Sequence, residues 1–171
     1  MKKRILTLFV VALAGVIAIS AQGRRGLRIN EVMIANDSTS VVDDFGRYNA
    51  WVELFNSTFG PLEISSVFLT NDPSKPTLYP VPLGDVNTEI PPRQHILFWA
   101  DGQPNKGTFH TNFVFVPGKD NYIAIYDADG KSLIDEITVP GDLKPGQTYA
   151  RKVDGGGGGD DVDAWGGRDG A

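Results

Sequence analysis

The chain of 171 residues carries 16 Lys and Arg against 21 Asp and Glu, a net charge of −5, with 20 Gly, 11 Pro and no Cys. An acidic surface with no basic stripe repels phosphate backbones, so nucleic acid is excluded as an expected partner. The missing cysteine removes a disulfide framework, a lipid-modified N-terminal Cys and thiol catalysis, and leaves packing to hold the core.

The chain opens as a secretion signal: Lys2, Lys3 and Arg4, an apolar run from Ile5 to Ile19, then small residues at Ser20 and Ala21. A helix crossing the bilayer core needs about 20 apolar residues, and this run is shorter. We expect export with cleavage after Ala21, to the periplasm, the cell surface or the medium, and membrane attachment only where the signal stays uncleaved. The mature chain keeps 13 basic and 21 acidic residues, a net charge of −8. Its length suits one domain, placed at 22–154, followed by a Gly-rich acidic tail over 155–171.

Gly and Pro recur too often for long helices, and no segment sustains a helical apolar period. Short strands are expected at 27–34, 50–56, 62–69, 77–81, 95–100, 112–116, 122–127, 132–139 and 147–153, each rich in β-branched or aromatic residues and closed by Gly, Pro, Asn or Asp. Val52 and Leu54 alternate with Trp51, Glu53 and Phe55, and Ile123 and Ile125 with Tyr122, Ala124 and Tyr126. Apolar groups on both faces suit two packed sheets, so the expected fold is an all-β, immunoglobulin-like sandwich of about seven to nine strands. Asp127 to Gly130 reads as the turn of a hairpin spanning 122–139. The run Gly155 to Gly159 reads as a flexible loop, beyond which Trp165 is placed to fold back over an open sheet edge.

The ordered motifs resemble a lamin-tail domain. They are Ile29-Asn30-Glu31-Val32-Met33; Trp51-Val52-Glu53-Leu54-Phe55-Asn56, similar to the family's W-I-E-L-Y-N; Phe68 to Pro73; and Ile90-Pro91-Pro92 followed by Ile96 to Gly102, similar to I-P-P-G…L-L-V-W-A-x-G. His110-Thr111-Asn112-Phe113 resembles H-T-N-F, Asp127-Ala128-Asp129-Gly130 resembles the D-x-D-G hairpin, and Tyr149-x-Arg151 with Asp154-Gly155 resembles the closing Y-G-R-x-x-D-G. Arg93 and Ala150 stand where the family has Gly, and the glycine run lengthens the last loop. The resemblance implies a scaffold for attachment and recognition, with no catalytic residue set to transfer.

Candidate chemistry is sparse. His95 and His110 are the two histidines, neither in a nucleophile turn, so no enzyme is expected. His95 reads as a surface residue at a strand start, His110 as a structural hydrogen-bonding group. Asp127-x-Asp129-Gly130 lacks the acidic residue a calcium loop needs at its twelfth position, which is Thr138. The polar loop 35–47 offers a better calcium set in Asp37, Asp43, Asp44 and Asn49, since several oxygens on one loop can wrap a hard cation. Beside it lie Phe45 and Tyr48, loop aromatics with no expected place in a core. The candidate binding residues are therefore Asp44, Phe45, Tyr48, Asn49, Trp51, Glu53 and His110. The expected function is non-catalytic binding, scaffolding or adhesion toward an envelope or extracellular protein, with no resident cofactor. The alternatives are a carbohydrate-binding accessory of exported hydrolases, with a glycan as partner, or a calcium-dependent module.

Overall fold

The computed structural model describes residues 24–38, 40–157 and 164–169. The signal-like segment lies outside them. No helix among the described residues is long and apolar enough to cross a membrane. Eleven strands are described: β1 (Leu27–Met33), β2 (Trp51–Asn56), β3 (Leu62–Glu63), β4 (Phe68–Thr70), β5 (Tyr79–Pro80), β6 (Glu89–Ile90), β7 (His95–Trp99), β8 (Asn121–Tyr126), β9 (Leu133–Val139), β10 (Gln147–Arg151) and β11 (Trp165–Asp169). They pair antiparallel in a five-stranded sheet, β11-β10-β1-β2-β7, a four-stranded sheet, β5-β4-β8-β9, and the two-stranded pair β3-β6. The fold is all-β and sandwich-like.

One core joins the sheets. Ile29, Val32, Val52, Leu54 and Phe98 from the larger sheet pack with Leu69, Ile123, Ile125, Ile137 and Val139 from the smaller one, and with Leu62 and Ile90. Among them, Val52 and Leu54, and Ile123 and Ile125, are the pairs that alternation set on one face of their strands. Burying each large aliphatic or aromatic group is worth about 1.5–3 kcal/mol, which explains why patterning governs these strands. On the opposite face of the larger sheet, Met33, Trp51 and Trp99 lie side by side in register and form a small buried cluster of their own.

Three expectations need correction. The single strand expected over 62–69 is broken, because Ser66 takes a left-handed φ of 66° and its N–H turns to Val81 O. The segment 112–116 is not a strand. Phe113 and Phe115 do point inward, but side chains hold the backbone: Val116 N–H donates to Asn121 Oδ1, and Asn71 and Asn112 bond Val114 O and Leu78 O. Only an isolated bridge between Asp101 and Val114 remains of the strand. The glycine run is anchored at its start, since Arg151 Nη1 donates to Gly156 O and Gly157 O.

The tail forms β11, the edge strand beside β10. Trp165, 3% exposed, stacks on Tyr149 at 5.3 Å and lies under the Arg151 guanidinium at 4.6 Å. Arg151 is wholly buried; its Nη2 meets Asp135 Oδ2 at 2.8 Å and its Nε donates to Ile29 O at 2.7 Å. The same Asp135 oxygen accepts Ile29 N–H. This network ties β1, β9, β10 and the glycine segment together across the fold.

Candidate functional site

The loop between β1 and β2 is shaped by one inward-turned carboxylate. Asp43 Oδ1 accepts the N–H of Phe45 at 2.9 Å and of Arg47 at 2.7 Å, an Asx-type turn, while Gly46 supplies the left-handed residue at φ 71°. Asp43 N–H donates to Arg47 O, closing the turn from the backbone side. Asp43 Oδ2 accepts from Asn49 Nδ2 at 2.8 Å. Burial pushes the Asp43 carboxyl upward, but the two N–H groups and the nearby Lys106 outweigh it and leave the group below its ordinary value. Asn36 stitches the loop base by donating to Val41 O and Asn49 O.

A second loop, after β7, supplies the opposite side. Its 3-10 turn Pro104–Lys106 carries Lys106, whose Nζ lies 3.1 Å from Asp101 Oδ2, 3.5 Å from Asp43 Oδ2 and 5.1 Å from the Phe45 ring centre. His110, 1% exposed, bridges the two loops: Nδ1 is 2.9 Å from Asp101 Oδ2 and Nε2 is 2.9 Å from Asp44 Oδ1. In any tautomer at least one nitrogen donates, and an imidazolium donates from both. The ring also meets Phe45 edge-on at 5.7 Å. Both ring nitrogens are thus occupied by carboxylates, so the histidine acts as a brace.

Phe45 and Tyr48 stay outside this brace, 55% and 46% exposed. With Arg47, Asn49, Gln103 and Lys106 they line an open depression of about 630 Å³. A second depression of about 440 Å³ lies among Asp44, Asp85, Leu97, Trp99, Phe109 and His110.

The expected binding residues therefore divide. Asp44, Phe45, Tyr48, Asn49 and His110 meet at these two loops. Trp51 packs with Met33 and Trp99 in the buried cluster. Glu53 belongs to a separate group on the outer face of the larger sheet, accepting from Asn30 Nδ2 at 2.9 Å with His95 Nε2 at 3.7 Å. Burial raises the Glu53 carboxyl above its ordinary value, against the lowering effects of Asn30 and His95. Asp154 completes that group through Asn30 and His95.

The four calcium candidates do not converge. The Asp37 carboxylate lies against Gly146, before β10. The potential ligand atoms that gather within 4.8 Å among the described residues belong to Asp43, Asp101 and His110. The Lys106 ammonium is ion-paired with both of those carboxylates, so a cation of the protein's own already serves them. Asp129 is engaged by its hairpin, accepting from Lys131 N–H, Ser132 N–H and the Ser132 hydroxyl.

Asp101 and Lys106 were not among the expected site residues. Asp101 sits in the quoted Trp99-Ala100-Asp101-Gly102 segment and His110 in His110-Thr111-Asn112-Phe113, yet nothing in either segment says that they pair. Comparison with protein-family models, curated proteins and solved structures finds no match.

Proposed function

We propose that this chain is an exported, non-catalytic binding module of the lamin-tail type, which docks on an envelope or extracellular protein through Phe45 and Tyr48. The observation that carries the reading is the pairing of two exposed aromatic rings with a turn held from within by a buried carboxylate. Rigid, amphipathic aromatics on a fixed loop bind with little loss of conformational entropy, and such rings dominate protein interfaces. The occupation of both His110 nitrogens supports a non-catalytic reading, because neither is left to activate a hydroxyl or water.

The family reading rests on the ordered motifs and on one backbone detail. Arg93, which stands where lamin-tail sequences have Gly, takes a left-handed φ of 58°, the conformation in which Gly is favoured. Its guanidinium covers the Phe55 ring at 4.7 Å, a contact that Gly could not make.

The test places a photo-crosslinking residue at Tyr48 in intact cells, with Phe59, 92% exposed, as a control position. The reading expects one defined neighbour captured from position 48, lost on Phe45→Ala. Identical captures from both positions would overturn it. A glycan is the second reading, favoured by the polar lining of Arg47, Asn49 and Gln103 beside the rings. Binding of an isolated oligosaccharide, abolished by Tyr48→Ala, would select it.

A further inference from the structure

Strand β7 is the edge of the larger sheet, and its outward-facing backbone is covered only at its C-terminal end. Ala100 N–H donates to Ala50 O and Asn56 N–H donates to Gln94 O, which fixes Phe98 and Ile96 as the residues bonded to β2. His95, Leu97 and Trp99 therefore direct their backbone groups away from the sheet. At Trp99 these are met: its N–H donates to Phe109 O at 2.7 Å, and its carbonyl accepts Thr111 N–H at 2.9 Å. At Leu97 and His95 no other described residue bonds to them.

Alongside this open stretch runs the depression of about 440 Å³, between β7 and the 3-10 turn Val86–Thr88. Its apolar lining is Leu97, Trp99 and Phe109; its charged lining is Asp44 and Asp85, with no Lys or Arg. Asp44 is 69% exposed and offers Oδ2, which no described residue uses, while Oδ1 is held by His110. Asp85 accepts Asn87 N–H, and with the Thr108 hydroxyl this holds its carboxyl below the ordinary value, so it is anionic at neutral pH. The far wall is fixed by the Tyr79 hydroxyl, which donates to Thr108 O at 2.6 Å.

We infer that the edge of β7 at His95–Leu97 accepts an extended, basic segment of a partner protein as an added strand, with an Arg or Lys side chain seated between Asp44 and Asp85. An unpaired edge supplies main-chain hydrogen bonds and the adjoining groove supplies side-chain selection, as in other strand-addition modes. Two carboxylates over an apolar lining match the guanidinium or ammonium head and its alkyl stem. The inference stands apart from the reading of Phe45 and Tyr48, since the groove uses neither ring.

The probe is a blocked peptide of alternating threonine and arginine, titrated into the full chain at low salt and followed by amide hydrogen exchange. We expect slowed exchange at the Leu97 amide. Asp44→Asn with Asp85→Asn should weaken binding about tenfold or more and flatten its salt dependence. Leu97→Pro removes an outward N–H without touching the ladder to β2, and should abolish binding while Tyr48→Ala, whose side chain is outside the groove lining, leaves it intact. A peptide N-methylated at every residue, which has no N–H on either edge, should not bind, and a threonine–glutamate peptide should not either. Equal binding of the N-methylated peptide, protection confined to residues 43–49, or a dimer in the free chain that Leu97→Pro dissolves would each overturn the inference, the last in favour of a second copy on this edge.

Discussion

Removing the carboxylate of Asp135 tests the network that joins the tail to the core. Arg151 is 0% exposed and donates to Asp135, Ile29 O, Gly156 O and Gly157 O. In Asp135→Ala the guanidinium keeps its three carbonyl partners but loses its counter-charge, and Ile29 N–H loses its acceptor. Breaking a buried pair from one side costs about 3–5 kcal/mol, and an orphaned buried N–H about 1–3 kcal/mol; the two overlap because water admitted for one also serves the other. We take about 4 kcal/mol, which for a domain of this size lowers Tm by roughly 8–16 °C. Urea unfolding followed by far-ultraviolet circular dichroism and tryptophan fluorescence measures the loss. The companion Arg151→Met and the double variant complete a cycle. Because the double variant buries no unpaired charge, its cost should fall short of the sum of the singles by about 2 kcal/mol or more. A coupling below about 0.5 kcal/mol would refute the argument that the pair, rather than local packing, holds the network.

Asp43→Ala should open its loop without unfolding the domain: we expect exchange at the Phe45 and Arg47 amides to rise about 10–100-fold, matching a local loss of about 1.4–2.8 kcal/mol, with little change in global Tm. Since the folded Asp43 carboxyl is lowered, its contribution is present above the unfolded value of 3.8 and lost as pH falls through the folded one, so wild-type loop protection should decline only below about pH 4. Glu53 has the opposite sign. Its folded carboxyl is raised above 4.5, so folding binds the proton and stability declines as pH rises from about 4.5 through the folded value; Glu53→Gln, which keeps an acceptor for Asn30, should flatten that decline in urea midpoints taken across the range.

The strands legible in the sequence are those whose inward positions carry large apolar residues at strict alternation, as at Val52 and Leu54 or Ile123 and Ile125. Burial selects one register for such segments, since a slip by one residue would expose the whole set. β11 was legible only in Trp165. Gly166 and Gly167 fall within the expected Gly-rich tail, and they lie in a strand because Tyr149 and Arg151 hold the indole while β10 supplies the ladder. The segment 112–116 misleads for the converse reason: Phe113 and Phe115 alternate as a strand would, but asparagine side chains take the backbone partners that a neighbouring strand would provide. At the site, Asp43 followed by Gly46 is a local turn signal. Its meeting with Asp101, Lys106 and His110 depends on how two distant loops cross, and no local pattern encodes that.

The brace also decides what each surface can present. Lys106 pairs with both Asp43 and Asp101 in the interior of the cluster and offsets one of their two charges, and the two carboxylates are turned inward, away from a ligand. On one side the loop then shows Phe45 and Tyr48, rings with Lys106 behind one of them. On the other side His110 holds one oxygen of Asp44 and leaves the rest of that carboxylate to the groove beside β7. The same set of contacts thus sorts an acidic chain into an aromatic face and an anionic one, around the buried side chains of Asp43, Asp101 and His110. Ionic strength should therefore separate the two surfaces: association through the groove weakens as salt rises, whereas association through the rings, driven by apolar burial, does not.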